Sequence, residues 1–128
     1  LDSRQSVLIV DSCSETREVL QTALERRGVR ILSAQRAQRG LELARQHHPD
    51  LIVLDLEVDN SADEELSAPF AEQSRSDSAP LVLLGVARRG KQPSGGEFVA
   101  KPYHYGPLIR RIEELLCSTR SKTVEISQ

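Results

Sequence analysis

The chain has 128 residues, 38% of them apolar, which suits one globular domain with its own core. With 17 basic and 19 acidic residues, the net charge of -2 excludes a global pull toward nucleic acid or an anionic membrane. Only two Tyr, two Phe and no Trp are present, too few for a base-stacking platform.

Val7–Val10 is a continuous apolar run, which predicts a strand buried on both faces. Ser14–Arg27 carries Val19, Leu20, Ala23 and Leu24 on one stripe, which predicts a helix capped by Ser14 and ended by Gly28. A second strand is expected over Val29–Leu32. A second helix follows over Ala37–His48, stopped by Pro49. Leu51–Leu54 reads as the third strand. Ser61–Ser78 is a weaker helical stretch, interrupted by Pro69.

Leu81–Leu84 reads as the fourth strand and Phe98–Ala100 as the fifth. Fifteen residues separate Gly85 from Lys101 and include Pro93, Gly95 and Gly96. They leave space for about one or two helical turns around Ala87–Lys91, so the fourth helix is short or replaced by a loop. Pro107–Cys117 carries Leu108, Ile109, Ile112, Leu115 and Leu116 and predicts the last helix. The expected domain covers residues 6–117, and residues 118–128 form a polar, frayed tail.

Strand alternating with helix implies a parallel sheet covered on both faces. Five such units point to a flavodoxin-like, doubly wound α/β fold with strand order 2-1-3-4-5, ahead of an α/β module of other topology. No apolar run nears the 18 or so residues of a membrane span. Cys13 and Cys117 form no close-spaced pair, so a zinc site or disulfide framework is not expected. Together these features predict a reduced, cytoplasmic chain with no membrane contact.

In that topology a ligand sits at the carboxyl ends of strands one and three. Those strands end at Asp11 and Asp55, and neighbouring strands lie about 4.8 Å apart. Two carboxylates so close repel unless one is protonated or a hard cation such as Mg²⁺ lies between them. Lys101 ends the fifth strand, its backbone roughly 10 Å from that of Asp55 and within side-chain reach. One Asp at a strand end often only opens a turn. Two at adjacent strand ends, with a Lys at a third, form a constellation that points to a site.

The segments Leu8-Ile9-Val10-Asp11, His48 to Leu56 and Phe98-Val99-Ala100-Lys101-Pro102-Tyr103 carry a resemblance to a known family. They resemble the response-regulator receiver domain of two-component signalling, from about residue 6 to residue 117. The resemblance implies that Asp55 is the phosphoacceptor, that Asp11 belongs to the acidic pocket for Mg²⁺, and that Lys101 contacts the phosphoryl group. It also implies a cis peptide at Lys101-Pro102, an aromatic switch at Phe98, and a histidine kinase or phosphotransfer protein as partner. On that reading the chain is a signalling domain, not an enzyme, and its chemistry is confined to gaining and losing a phosphoryl group.

Several positions depart from the family pattern. Ser12 stands where a second acid is usual, which predicts weaker Mg²⁺ binding. Gly85 stands where a Thr or Ser would bond the phosphoryl oxygen, which cuts the link to Phe98, and Val86 follows where a small residue is usual. The loop Leu56-Glu57-Val58-Asp59-Asn60 lacks the usual Pro-containing turn. Glu57 is the candidate replacement for the charge lost at Ser12, against the plainer reading of a solvated loop acid. These departures leave a second function open, a phosphorylation-independent pseudo-receiver acting as a protein–protein interaction module. A nucleotide-binding enzyme is disfavoured because no Gly-rich loop follows the first strand.

The remaining features read as surface. His47 and His48 are adjacent and so point to different helix faces. Cys13 suits a small packed side chain, although a helix start can lower a thiol pKa. Arg88, Arg89 and Lys91 form a basic cluster near the rim. Arg110, Arg111 and Glu114 mark the outer face of the last helix, where a homodimer would pair.

Overall fold

The computed structural model describes residues 4–58, 64–86 and 95–127. In chain order the elements are β1 (Ser6–Val10), α1 (Ser14–Glu25), β2 (Arg30–Ala34), α2 (Ala37–His47) and β3 (Leu51–Asp55). They continue with α3 (Glu64–Asp77), β4 (Leu81–Gly85), β5 (Glu97–Ala100) and α4 (Tyr105–Ser127). All strand pairs are parallel, and the order is β2-β1-β3-β4-β5, as the alternation of elements predicts.

The apolar runs of β1, β3 and β4 follow from burial on both faces. Leu8, Val10, Ile52, Leu54, Leu81 and Leu83 join Leu43, Ala44 and Phe70 beneath α2 and α3. Their neighbours Val7, Ile9, Leu51, Val53, Val82 and Leu84 join Leu20, Leu24, Leu108 and Ile112 beneath α1 and α4. This is the two-residue alternation of a strand written across a whole sheet.

Helix ends follow local chemistry. Asp11 Oδ1 accepts the Cys13 N–H at 2.8 Å, a turn that brings the chain into helical geometry early. Cys13 therefore takes the N-cap, and Ser14 is the first helical residue instead of the cap. α1 ends two residues before Arg27, where Gly28 takes φ +83° and its N–H bonds the Glu25 carbonyl. α2 ends at His47, and His48 closes it at φ 47° ahead of Pro49. α3 runs through Pro69.

The last helix is longer than its periodicity suggests. It starts at Tyr105, so Pro107 occupies the first turn, where a missing N–H breaks no helical bond. It also continues to Ser127, so residues 118–127 are helical where the sequence suggests a frayed tail. That segment contains neither Gly nor Pro to stop it. Among the described residues no helix lies between β4 and β5, and the short helix or loop expected at Ala87–Lys91 lies outside them.

Candidate functional site

The parallel sheet brings the three predicted strand-end residues together. Asp11 follows β1 directly, and its N–H extends the ladder to the Ala34 carbonyl at 3.0 Å. Its side chain is buried, and its own carbonyl accepts a bond from the Arg17 guanidinium. Asp55 ends β3, opposite Leu84 of β4, and is 4% exposed. Its Oδ1 accepts the Glu57 N–H at 2.9 Å, which fixes the carboxylate plane. Lys101 follows β5, and its N–H bonds the Gly85 carbonyl at 2.8 Å. From there Lys101 Nζ donates to both oxygens of Asp55, at 2.9 and 3.0 Å.

The electrostatics follow from this crowding. Burial pushes the Asp11 carboxyl up to about 6, and the Asp55 carboxylate beside it adds to the rise. The Cys13 N–H and the Lys101 ammonium offset part of that rise. Burial alone would lower the Lys101 ammonium, but the bonded Asp55 and then Glu57 hold it above its ordinary value. Lys101 therefore stays charged at neutral pH.

Asp11 and Asp55 form a pair of hard oxygen donors. Mg²⁺ commonly takes one or two protein carboxylates and completes its shell with water and phosphate oxygens, so this pair fits it. Among the described residues no three His, Cys, Asp or Glu side chains gather into a metal-holding group. Glu57, the candidate third acid, places Oε1 3.4 Å from Lys101 Nζ, and its side chain is 58% exposed. Ser12 is exposed.

The β4 side of the site has a different character. A Cβ on Gly85 would lie 3.1 Å from Leu56 Cδ1, 3.3 Å from Leu56 Cβ and 3.5 Å from Phe98 Cε2. Leu56 is buried, and Phe98 packs half-buried against the same cluster. Where a hydroxyl would have stood, the site has a hydrocarbon wall. Val86 beside it is exposed. Lys101-Pro102 is cis, as the resemblance implies.

Other predicted features stand away from the acids. His47 and His48 are exposed, and His48 Nδ1 lies 3.1 Å from Asp77 Oδ1, tying α2 to α3. Cys13 and Cys117 are free and exposed. Hydrogen bonding to Thr16 lowers the Cys13 thiol from its ordinary value. Arg88, Arg89 and Lys91 lie outside the described residues. On the last helix, Arg111 pairs within the chain, Nε and Nη2 donating to the Glu97 carboxylate at 2.6 Å each.

Sequence reasoning missed Thr16, which is buried on the α1 stripe and lies 3.2 Å from the Tyr105 hydroxyl. Its signal was the four-residue spacing to Leu20, which puts a polar side chain on the apolar stripe.

Comparison with known proteins agrees with this fold. The response regulator receiver domain family matches residues 7–113. The chain is 33% identical over 118 residues to the KDP operon transcriptional regulatory protein KdpE of Escherichia coli, covering 87% of this chain and 51% of that protein. It is 30% identical over 118 residues to the transcriptional regulatory protein AfsQ1 of Streptomyces coelicolor, with the same coverage of 87% and 51%. The chain thus spans about half the length of the curated relatives it matches. The signal receiver domain of a putative Luxo repressor protein from Vibrio parahaemolyticus shares the fold with a TM-score of 0.76 at 14% identity, covering 94% of this chain and 96% of that one. The chemotaxis protein CheY4 of Vibrio cholerae gives 0.72 at 19% identity, covering 88% and 99%. No helix among the described residues is long and apolar enough to cross a membrane. Because the family match takes in all five strands and reaches into α4, the chain belongs to the response regulator receiver domains, the CheY-like signalling modules of two-component systems.

Proposed function

We propose that Asp55 accepts a phosphoryl group from a phosphohistidine on a histidine kinase or phosphotransfer protein in the cytoplasm. The observation that carries this reading is the Lys101 ammonium bonded to both Asp55 oxygens at 2.9 and 3.0 Å, with a second buried acid beside them. An Asp55 oxygen attacks phosphorus as the phosphorus–nitrogen bond breaks. The imidazole leaves with the bonding pair and takes up a proton, and Asp55 becomes an acyl phosphate.

In this reaction the chain's work is positioning and charge compensation. The Glu57 N–H holds the carboxylate plane, and Lys101 stays cationic and follows the charge that moves onto the phosphoryl oxygens. Asp11 and Asp55 would hold Mg²⁺, which when bound neutralises phosphoryl charge. The wall formed by Leu56 and Phe98 at Gly85 offers no donor, so the transferred group relies on Lys101 and backbone groups.

The test is incubation with Mg²⁺ and acetyl phosphate, followed by intact mass. A gain of one phosphoryl group that is absent in Asp55→Asn is the expected result. A phosphorylated histidine phosphotransfer domain serves as a second donor. A chain labelled by neither donor would overturn the reading and return it to an interaction module.

A further inference from the structure

Lys101 leaves the sheet at an edge. β5 is the terminal strand, so Lys101 is held by the Gly85 carbonyl on one side only. An ammonium that must meet both oxygens of Asp55 needs a second fixed point for its backbone. The chain provides one four residues later. Tyr105, the first residue of α4, places its hydroxyl 3.2 Å from Thr16 Oγ1.

Thr16 is a firm anchor. It is buried in the first turn of α1 on the same stripe as Leu20 and Leu24, and Asp11 fixes the start of that helix through the Cys13 N–H. Tyr103 braces the contact from the side. Its ring meets that of Tyr105 edge-on, with centroids 5.9 Å apart and planes at 79°, and both rings pack on the Leu20–Leu108 core. Burial, and then the nearby Asp11 carboxylate, push the Tyr103 hydroxyl up to about 12, and a bond with Thr16 offsets part of the rise.

We propose that Thr16 and Tyr105 are positioning residues, a hydroxyl latch that closes the ring Asp11–α1–α4–Lys101–Asp55 and so fixes the Lys101 ammonium on Asp55. The proposal rests on the acceptor reading above. It assigns the accuracy of the charged site to two residues that touch neither acid.

The variants remove one hydroxyl each and preserve shape: Thr16→Val, Tyr105→Phe and the double variant, with Thr16→Ser as rescue. Acetyl phosphate labelling of Asp55 should slow about fivefold to tenfold in each single variant, because small misplacements of a reacting group are expensive in rate. The double variant should be no slower than Thr16→Val alone, which removes this contact together with the Thr16 bonds to Cys13 and Tyr103. Thr16→Ser should restore the rate. Wild-type rates in the single variants, a multiplied effect in the double, or a Thr16→Ser variant as slow as Thr16→Val would overturn the latch.

A metal-free readout separates this proposal from the acceptor reading. Hydrogen exchange at the Lys101 amide should speed up about fivefold in Thr16→Val and Tyr105→Phe and recover in Thr16→Ser. Unchanged exchange would overturn the latch even in a chain that labels normally. An unlabelled wild type with latch-dependent exchange would overturn only the acceptor reading.

Discussion

Asp55 has two unlike flanks. Toward β1 and the end of β5 it meets charge, with Asp11 buried alongside and Lys101 bonded to both of its oxygens. On the β4 side Gly85 offers no side chain, and Leu56 with Phe98 lines the space that its Cβ would take. The charged flank sets a buried acid and an ammonium against Asp55. On the apolar flank a Cβ at Gly85 would need Leu56 to give way by a few tenths of an ångström.

The sharpest way to break the charged flank is Lys101→Ala. Labelling by acetyl phosphate should slow about a hundredfold, the scale of losing a donor aimed at developing charge. A time course of intact mass checks it, and a loss below about threefold would mean that the bonded geometry has no part in transfer.

Gly85→Thr tests the other flank. Its Cβ would press on Leu56, so urea unfolding should show a loss of about 1–3 kcal/mol, typical of overpacking. Combined with Leu56→Ala, the cost should fall below the sum of the two single costs by about 1 kcal/mol. Additive costs would mean that the two positions do not share the space.

The acid pair carries a pH signature. The folded Asp11 carboxyl sits at about 6 against an ordinary 3.8, so the folded state holds its proton more tightly. Stability from this residue is full below about pH 4 and is lost as pH rises through about 6. In metal-free buffer Asp11→Asn should therefore match wild type near pH 4 and exceed it above pH 6, on the order of 2 kcal/mol. Thermal unfolding across that window checks it, and parallel curves would contradict the raised value.

Glu57→Gln is the smallest change expected. The side chain is mostly exposed and stands by Lys101, so Mg²⁺ affinity measured by titration should stay within about twofold. A tenfold loss would place Glu57 among the metal's ligands and extend the charged flank past the loop.

The sheet was legible because β1, β3 and β4 are covered on both faces, which leaves unbroken apolar runs in the sequence. Asp11, Asp55 and Lys101 were legible for a related reason, since each directly ends such a run or follows a strand. The Gly85–Leu56 contact was not, because nothing in Leu56-Glu57-Val58 says that Leu56 turns back beneath β4. Thr16 was hidden by its type, a polar residue serving a buried contact to a segment 89 positions away. The Ser14 cap failed because a nearer acceptor, Asp11, had already turned the chain. The end of α4 gave no signal because the sequence holds no stop there.

The alternation of the strands turns the sheet into a partition between two rooms. Val53 and Leu51 face the room under α1 and α4, and Asp55 shares their parity; Phe98 belongs to the room under α2 and α3. The Asp55 carboxylate and the Phe98 ring therefore leave the five-stranded sheet on opposite faces. Gly85 is the threshold between them, and Leu56 stands in the doorway.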